Sequence, residues 1–231
     1  MAIIFDEVSS DSLGVYVEGY PSRPLGRRRI SSETIPGYNG YYLVDEGAYD
    51  GYEQEYRLSW LPTDVVDTDI ISWLAKLGYK KLVDTDKAGY HRMAIMLDLP
   101  DIENVGGLYH TVKVSFLCKP EYYLDSGDIQ QVMSSGNTIN NPTLYPSHPI
   151  LTISGASRGA ELAINGRIIT FTAEVSSCTI DCEREECYNG DTPLNSSIDC
   201  SDFPILSSGD NLIVWTGTIE EVKITPRWWT R

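Results

Sequence analysis

Ala160-Glu161-Leu162-Ala163-Ile164-Asn165-Gly166-Arg167-Ile168-Ile169-Thr170-Phe171-Thr172 reads as a β-hairpin. Asn-Gly is the pair that best tolerates the positive φ angles of a two-residue type I′ turn, and strand-forming runs flank it on both sides. Further runs of this kind lie outward from it, at 150–153, 177–182, 211–216 and 221–225, with no helical period anywhere beyond residue 149. Together they supply enough strands for a two-sheet β-sandwich.

The N-terminal half is also β-rich, with one exception. Short apolar runs at 3–5, 13–17, 41–44, 55–60 and 90–97 are separated by Gly, Pro, Asn and Asp, as in an antiparallel sheet. Pro36-Gly37 and Asn39-Gly40 both demand turns. Residues 111–118 place Val112, Val114, Phe116 and Cys118 on one face before stopping at Lys119-Pro120. The exception is a helix over 67–78. Asp67, Thr68 and Asp69 open it, Ile70, Ile71, Trp73, Leu74 and Leu77 form its stripe, and Gly78 stops it. Ile70, Leu74 and Leu77 are expected to face the sheet. Residues 124–149 are rich in Ser, Asn, Gly and Pro and read as a connection. The expected organisation is therefore a β domain with one helix over 1–123, a linker or crossover over 124–149, and a β-sandwich over 150–231.

The chain has 231 residues, with 18 Lys+Arg against 33 Asp+Glu, for a formal charge of −15. Neither half is basic. That charge opposes sequence-independent nucleic-acid binding and attachment to anionic membranes. No apolar run approaches the roughly 18 residues that span a bilayer. Met1-Ala2-Ile3-Ile4-Phe5-Asp6-Glu7 lacks the marks of a secretory signal, so the expectation is a protein assembled inside the cell. The 15 Tyr and 5 Trp against 4 Phe suit extensive contact surfaces, where a ring is half buried and its polar atom stays wet.

Four of the five cysteines lie at Cys178, Cys182, Cys187 and Cys200, without Cys-x-x-Cys spacing or a nearby His. Free thiols are the expectation, with Cys178 and Cys182 buried on one strand face. A Cys187–Cys200 disulfide is the alternative in an oxidising compartment. Gly155-Ala156-Ser157-Arg158-Gly159 matches the string of a hydrolase nucleophile elbow, but a hairpin follows it where that chemistry needs a helix. His91, His110 and His148 all precede Ser157, and no two of them have metal-ligand spacing. The acid pairs Glu185-Glu186 and Glu220-Glu221 are expected in so acidic a chain. No catalytic, cofactor or metal residue is assigned. Arg27-Arg28-Arg29, the one basic cluster, is either a solvated loop or paired with acids in its own fold or on a neighbour.

The order of the short motifs along the chain is more specific than any one of them. Ile35-Pro36-Gly37-Tyr38-Asn39-Gly40 is followed by Gly47-Ala48-Tyr49, by a Trp-Leu helix ending in Gly78-Tyr79-Lys80-Lys81-Leu82, and by Val114-Ser115-Phe116-Leu117-Cys118-Lys119-Pro120. Ile180-Asp181-Cys182-Glu183, Asp202-Phe203-Pro204-Ile205-Leu206, Gly209-Asp210-Asn211-Leu212-Ile213 and Val222-Lys223-Ile224-Thr225-Pro226-Arg227-Trp228 complete the series. It resembles the distal tail protein family of long non-contractile-tailed phages of Gram-positive bacteria. Tyr38 departs from the family, whose members often carry Arg there.

The resemblance implies an N-terminal split β-barrel that closes a six-membered ring and a C-terminal galectin-like or jelly-roll β-sandwich. It implies a structural, non-enzymatic adaptor in the virion tail tip or baseplate, without cofactor. Its partners would be further copies of itself, the tail tube protein, the tape measure protein, the tail-associated hub or lysin protein and receptor-binding proteins, with no nucleic acid or membrane. Arg27, Arg28, Arg29, Tyr38, Tyr41 and Tyr42 are the candidate ring or partner contacts, with Tyr52 and Tyr56 as further contributors. The alternative is a carbohydrate-binding module for host cell-wall polysaccharide, stacking sugars on Tyr188, Trp215, Trp228 or Trp229. A cell-wall hydrolase is a third option.

Overall fold

Strand Tyr109–Cys118 owes its place to its alternation: Val112, Val114, Phe116 and Cys118 are all buried on one face, as the sequence indicates. The structure, a computed structural model, describes residues 1–98 and 101–231. It forms two compact units, Met1–Tyr122 with Arg231, and Tyr123–Thr230. The fold is mainly β, and among the described residues there is a single α-helix.

In the first unit Tyr109–Cys118 pairs antiparallel along its length with Tyr52–Trp60, in a register that sets Val114 opposite Tyr56 and Phe116 opposite Gln54. Outward from this pair the sheet runs through Tyr90–Met96, Lys80–Asp84, Ile3–Phe5 and Val8–Ser9 on one side, and Tyr16–Val17 on the other. It curls as a half-barrel. The helix Asp67–Leu74 packs Ile70, Trp73 and Leu74 into the core, and Trp73 Nε1 donates to Phe5 O at 3.1 Å. It is shorter than the sequence suggests. The backbone leaves helical geometry at Ala75 (ψ 63°), so Leu77 falls off the stripe and is 94% exposed. Trp73 takes the buried place expected of Leu77.

A buried ionic network holds the sheet from within. Arg92, Asp84, Tyr56 and Gln54 are all essentially buried. Arg92 donates to Gln54 Oε1 at 2.9 Å and to Asp84 Oδ2 at 2.5 Å, and also contacts the Tyr56 hydroxyl. Tyr56 in turn donates to Asp84 Oδ1 at 2.5 Å. Gln54 Nε2 is satisfied by the carbonyls of Ser22 and Glu55. Burial pushes the Tyr56 hydroxyl well above its usual range. Burial alone would lower the Arg92 pKa, but Tyr56 and Asp84 outweigh it and raise it. Side chains of three strands, Tyr52–Trp60, Lys80–Asp84 and Tyr90–Met96, are thereby tied together, although Tyr109–Cys118 lies between the first and the last in the sheet. Tyr52 and Tyr56, expected to contribute to a ring interface, are 7% and 2% exposed: they face the core because the period-2 pattern of their strand turns them inward.

The second unit is a sandwich of two antiparallel sheets. One runs Gln131–Met133, Glu221–Thr225, Ile150–Ala156, Val175–Asp181, Glu186–Asn189, Thr192–Pro193. The other runs Thr138–Asn141, Gly209–Thr216, Glu161–Ile164, Arg167–Phe171, Ile198–Asp199. Leu151, Ile153, Ile180, Val222 and Ile224 from the first and Leu162, Ile164, Ile169, Phe171 and Ile213 from the second are fully buried. Each is worth about 1.5–3 kcal/mol of hydrophobic stabilisation. The Asn165-Gly166 turn has both φ angles positive, 51° and 83°, and Asn165 is pinned by Asn211 Oδ1 and Leu212 N. Residues 124–149 are not a free connection. Gln131–Met133 pairs with Glu221–Thr225, and Thr138–Asn141 pairs with Gly209–Thr216. Their composition looks like a linker because both are short strands at the ends of their sheets, with mostly polar outward faces.

All five cysteines are thiols, and Cys118, Cys178, Cys182 and Cys187 are buried. Cys178 and Cys187 bear on each other's ionisation, which raises the pKa of the first and lowers that of the second, so the neighbour of Cys187 is Cys178. Burial pushes Cys118 up to about 11.

Two outcomes follow. A thiol reagent at pH 8 should modify Cys200 rapidly in the native protein and all five cysteines after denaturation, as counted by intact mass. In urea titrations, Asp84→Ala should lower stability by roughly 3–5 kcal/mol, because it strands a buried guanidinium. Adding Arg92→Met should recover part of that loss.

Candidate interaction surface

Ser31-Ser32-Glu33 and Leu43-Val44-Asp45 belong to a two-stranded ribbon, Arg28–Glu33 against Tyr42–Tyr49, that pairs with no other strand among the described residues. Residues 27–47 are exposed without a break. Ile30 pairs with Asp45 and Ser32 with Leu43 on one face, while Ser31 pairs with Val44 and Glu33 with Tyr42 on the other. Apolar side chains therefore stand on both faces: Leu43 is 61% exposed, Tyr42 52%, Ile30 50% and Val44 41%. The turn segment carries Tyr38 and Tyr41 into solvent as well, with Gly37 and Gly40 at φ 80° and 93° as their dipeptides require. An isolated two-stranded hairpin is at best marginally stable in water. This one has no sheet or core beneath it.

Its base is held firmly. The register shifts between Arg28 and Ile30, a bulge that increases local twist. Arg28 Nε donates to Asp45 Oδ1 at 3.1 Å, and Arg29 Nε donates to Asp50 Oδ1 at 2.7 Å. Arg27 offers its carbonyl to Asp50 N at 2.8 Å. Two of the three arginines, Arg28 and Arg29, thus find acids within their own fold, on the facing strand and just beyond it. Such exposed pairs contribute little stability, about 0–1 kcal/mol, but they set the register. Gly26, just before them, is buried, and a Cβ there would lie 2.2 Å from Asp50 O and 3.0 Å from Pro120 Cβ. Only glycine lets the chain enter the ribbon this close to its return strand.

The aromatic candidates of the second unit fare differently from one another. Trp228 is 2% exposed in the core, so it offers no face to a ligand. Trp215 packs partly against that core from strand Gly209–Thr216. Trp229 stacks on Tyr145 with ring centroids 4.4 Å apart and donates Nε1 to Pro146 O at 2.8 Å. Tyr188 borders a depression about 450 Å³ in volume.

The catalytic string also finds its place. Ser157 sits in the turn between Ile150–Ala156 and Glu161–Ile164, with its Oγ accepting from Thr218 N at 3.2 Å. A strand, not a helix, follows it. His110 Nδ1 lies 2.8 Å from Asp67 Oδ1, and that carboxylate also accepts from Trp60 Nε1, so the histidine tethers the start of the helix. His91 is buried in the first unit, and His148 is exposed in the second.

No protein-family model matches the chain, and no curated protein matches it in sequence. Solved structures do match in fold. A chain described as the SPP1 Dit (gp 19.1) protein, "a Paradigm of Hub Adsorption Apparatus in Gram-positive Infecting Phages", superposes with a TM-score of 0.68 at 14% identity. The match covers 96% of this chain and 97% of that one. Chains of the phage p2 baseplate in its activated conformation, with Sr and with Ca, superpose with TM-scores of 0.54 and 0.52 at 11% and 10% identity, covering 96% of each chain. The fold is thus that of phage hub and baseplate proteins, as the ordered motifs suggest.

Because both ribbon faces are already in water, Leu43→Asp combined with Val44→Asp should leave the melting temperature of a dilute sample unchanged, since exposed positions shift stability by no more than about 0.5 kcal/mol. Gly26→Ala should lower it, measured by circular dichroism.

Proposed function

We propose that this chain is a structural adaptor of a phage tail tip, in which six copies close a ring through their N-terminal units. The observation that carries this reading is the ribbon, with apolar side chains on both faces and no core of its own. Exposed apolar area of this kind marks a surface that another molecule covers. A ring fits it physically, because a head-to-tail interface, in which one surface meets a different surface on the next copy, gives a closed ring when the rotation between copies closes. Arg27, Tyr38, Tyr41 and Tyr42 lie along the ribbon and would reach the neighbour. Arg28 and Arg29 would act indirectly, by holding the ribbon in register.

The shared fold supports placing the chain beside hub and baseplate proteins in the virion tail tip, assembled in the host cytoplasm. There it would join the tail tube protein and tape measure protein on one side to the hub or lysin protein and receptor-binding proteins on the other. The galectin-like sandwich would project from the ring. The role is mechanical and needs no cofactor. The acidic charge of −15 keeps the reading clear of nucleic acid and anionic membranes. No helix among the described residues is long and apolar enough to cross a membrane.

Purified protein should give annuli with six-fold symmetry in negative-stain images and a hexamer mass by light scattering. The Leu43→Asp, Val44→Asp variant should be monomeric. Wild-type protein that stays monomeric at tens of micromolar, alone and with tail partners, would contradict the reading.

A further inference from the structure

Beyond strand Val175–Asp181 the chain turns through Glu185 (φ 58°), returns as Glu186–Asn189, turns again at Gly190 and ends the sheet with Thr192–Pro193. Tyr188 faces Pro193 across this last pair. Together with Arg184, Glu186, Asp191 and Asn195 they line the open depression of about 450 Å³. That volume lies within the roughly 300–1,000 Å³ of small-molecule sites.

The groups around it are uncommitted in a particular way. Tyr188 is half-exposed, and among the described residues its side chain has no ring, cation or hydrogen-bond partner. The other three aromatic candidates are all accounted for by their own packing. Glu186 and Asp191 are exposed and make no ion pair among the described residues. Arg184 is 72% exposed, reaching Asp181 only at 4.0 Å. Asn195 spends its Oδ1 on Cys187 N at 2.6 Å, which fixes the amide and leaves its NH₂ group to donate.

We propose that this depression binds a neutral saccharide. A sugar ring offers one apolar C–H face, which suits a tyrosine beside a proline, and an edge of hydroxyls that both donate and accept. Carboxylates accept from hydroxyls strongly, while the Asn195 amide and the Arg184 guanidinium donate to them. The competing ligand classes fit less well. Two carboxylates against one guanidinium disfavour phosphate or any other anion, all the more in a chain of charge −15. Two small apolar surfaces cannot hold a lipid. The carboxylates here do not converge with a third ligand atom as a metal site needs. The site lies wholly within the second unit and does not depend on ring formation.

The test is an array of neutral and anionic oligosaccharides probed with the full chain, followed by solution titration of the best neutral ligand. Wild type should be retained on neutral glycans. Tyr188→Ala should weaken binding about tenfold or more and Tyr188→Phe only slightly, since the ring face and not the hydroxyl makes the contact. Both variants should melt at the wild-type temperature. The monomeric Leu43→Asp, Val44→Asp variant should bind the same glycan in solution with unchanged affinity, which separates this inference from the ring. Retention of no glycan, retention only of anionic ones, or binding indifferent to Tyr188→Ala would overturn it.

Discussion

A β-ribbon with exposed apolar residues on both faces, held only at its base, where Arg231 stacks on Tyr49, is the constraint from which this molecule is best understood. The long strands of the two units are backed by cores in which alternate side chains are buried. The ribbon is backed by water. Two strands supply the backbone hydrogen bonds of a ladder but cannot exclude solvent from it. Leu43, Val44, Ile30 and Tyr42 therefore stay as unburied hydrophobic surface until another molecule covers them. Such a surface is costly to leave bare in water.

The rest of the first unit keeps that ribbon aimed. The Arg92–Asp84–Tyr56–Gln54 network ties three strands together, reaching across Tyr109–Cys118, without help from solvent. A buried charge pair of this kind is a poor source of net stability but penalises any arrangement that separates its members. Tyr52–Trp60 belongs to this network, and Gly51 just before it lies so close to Cys118 O that a Cβ would sit at 2.8 Å. Gly26 makes a similar approach to Asp50 at the ribbon's other strand. The ribbon is thus free along its length and rigid at its root.

How much of this was legible in the sequence differed by element. Strands with a buried face announced themselves: 111–118 alternates because one side meets the core, and Asn165-Gly166 names its own turn. The ordered motifs also pointed to the hub-protein fold that the structural comparisons bear out. The ribbon's first strand, Arg28–Glu33, was not legible, since a strand solvated on both faces has no hydrophobic period to read. Its partner showed only as the unbroken apolar run Tyr41-Tyr42-Leu43-Val44. The helix end was misplaced because Leu77 continues the spacing after the backbone has already turned away. Residue type alone makes Tyr52, Tyr56 and Trp228 look like contact residues. Their burial depends on strand register and on facing sheets, which no single stretch of sequence contains. The lining of the Tyr188 depression was missed for a similar reason, as its residues meet only when two short turns bring Arg184 and Asn195 to the same sheet end.

Hydrogen–deuterium exchange of the ribbon amides, followed across protein concentration, tests the central claim most directly. In dilute monomer the amides of residues 30–33 and 42–45, beyond the root, should exchange nearly as fast as open chain, while those of Tyr109–Cys118 stay protected. As concentration rises into the assembled range, protection should spread to the ribbon and leave the core strands as they were. A ribbon already protected in the monomer, or still unprotected in the assembled state, would contradict the account.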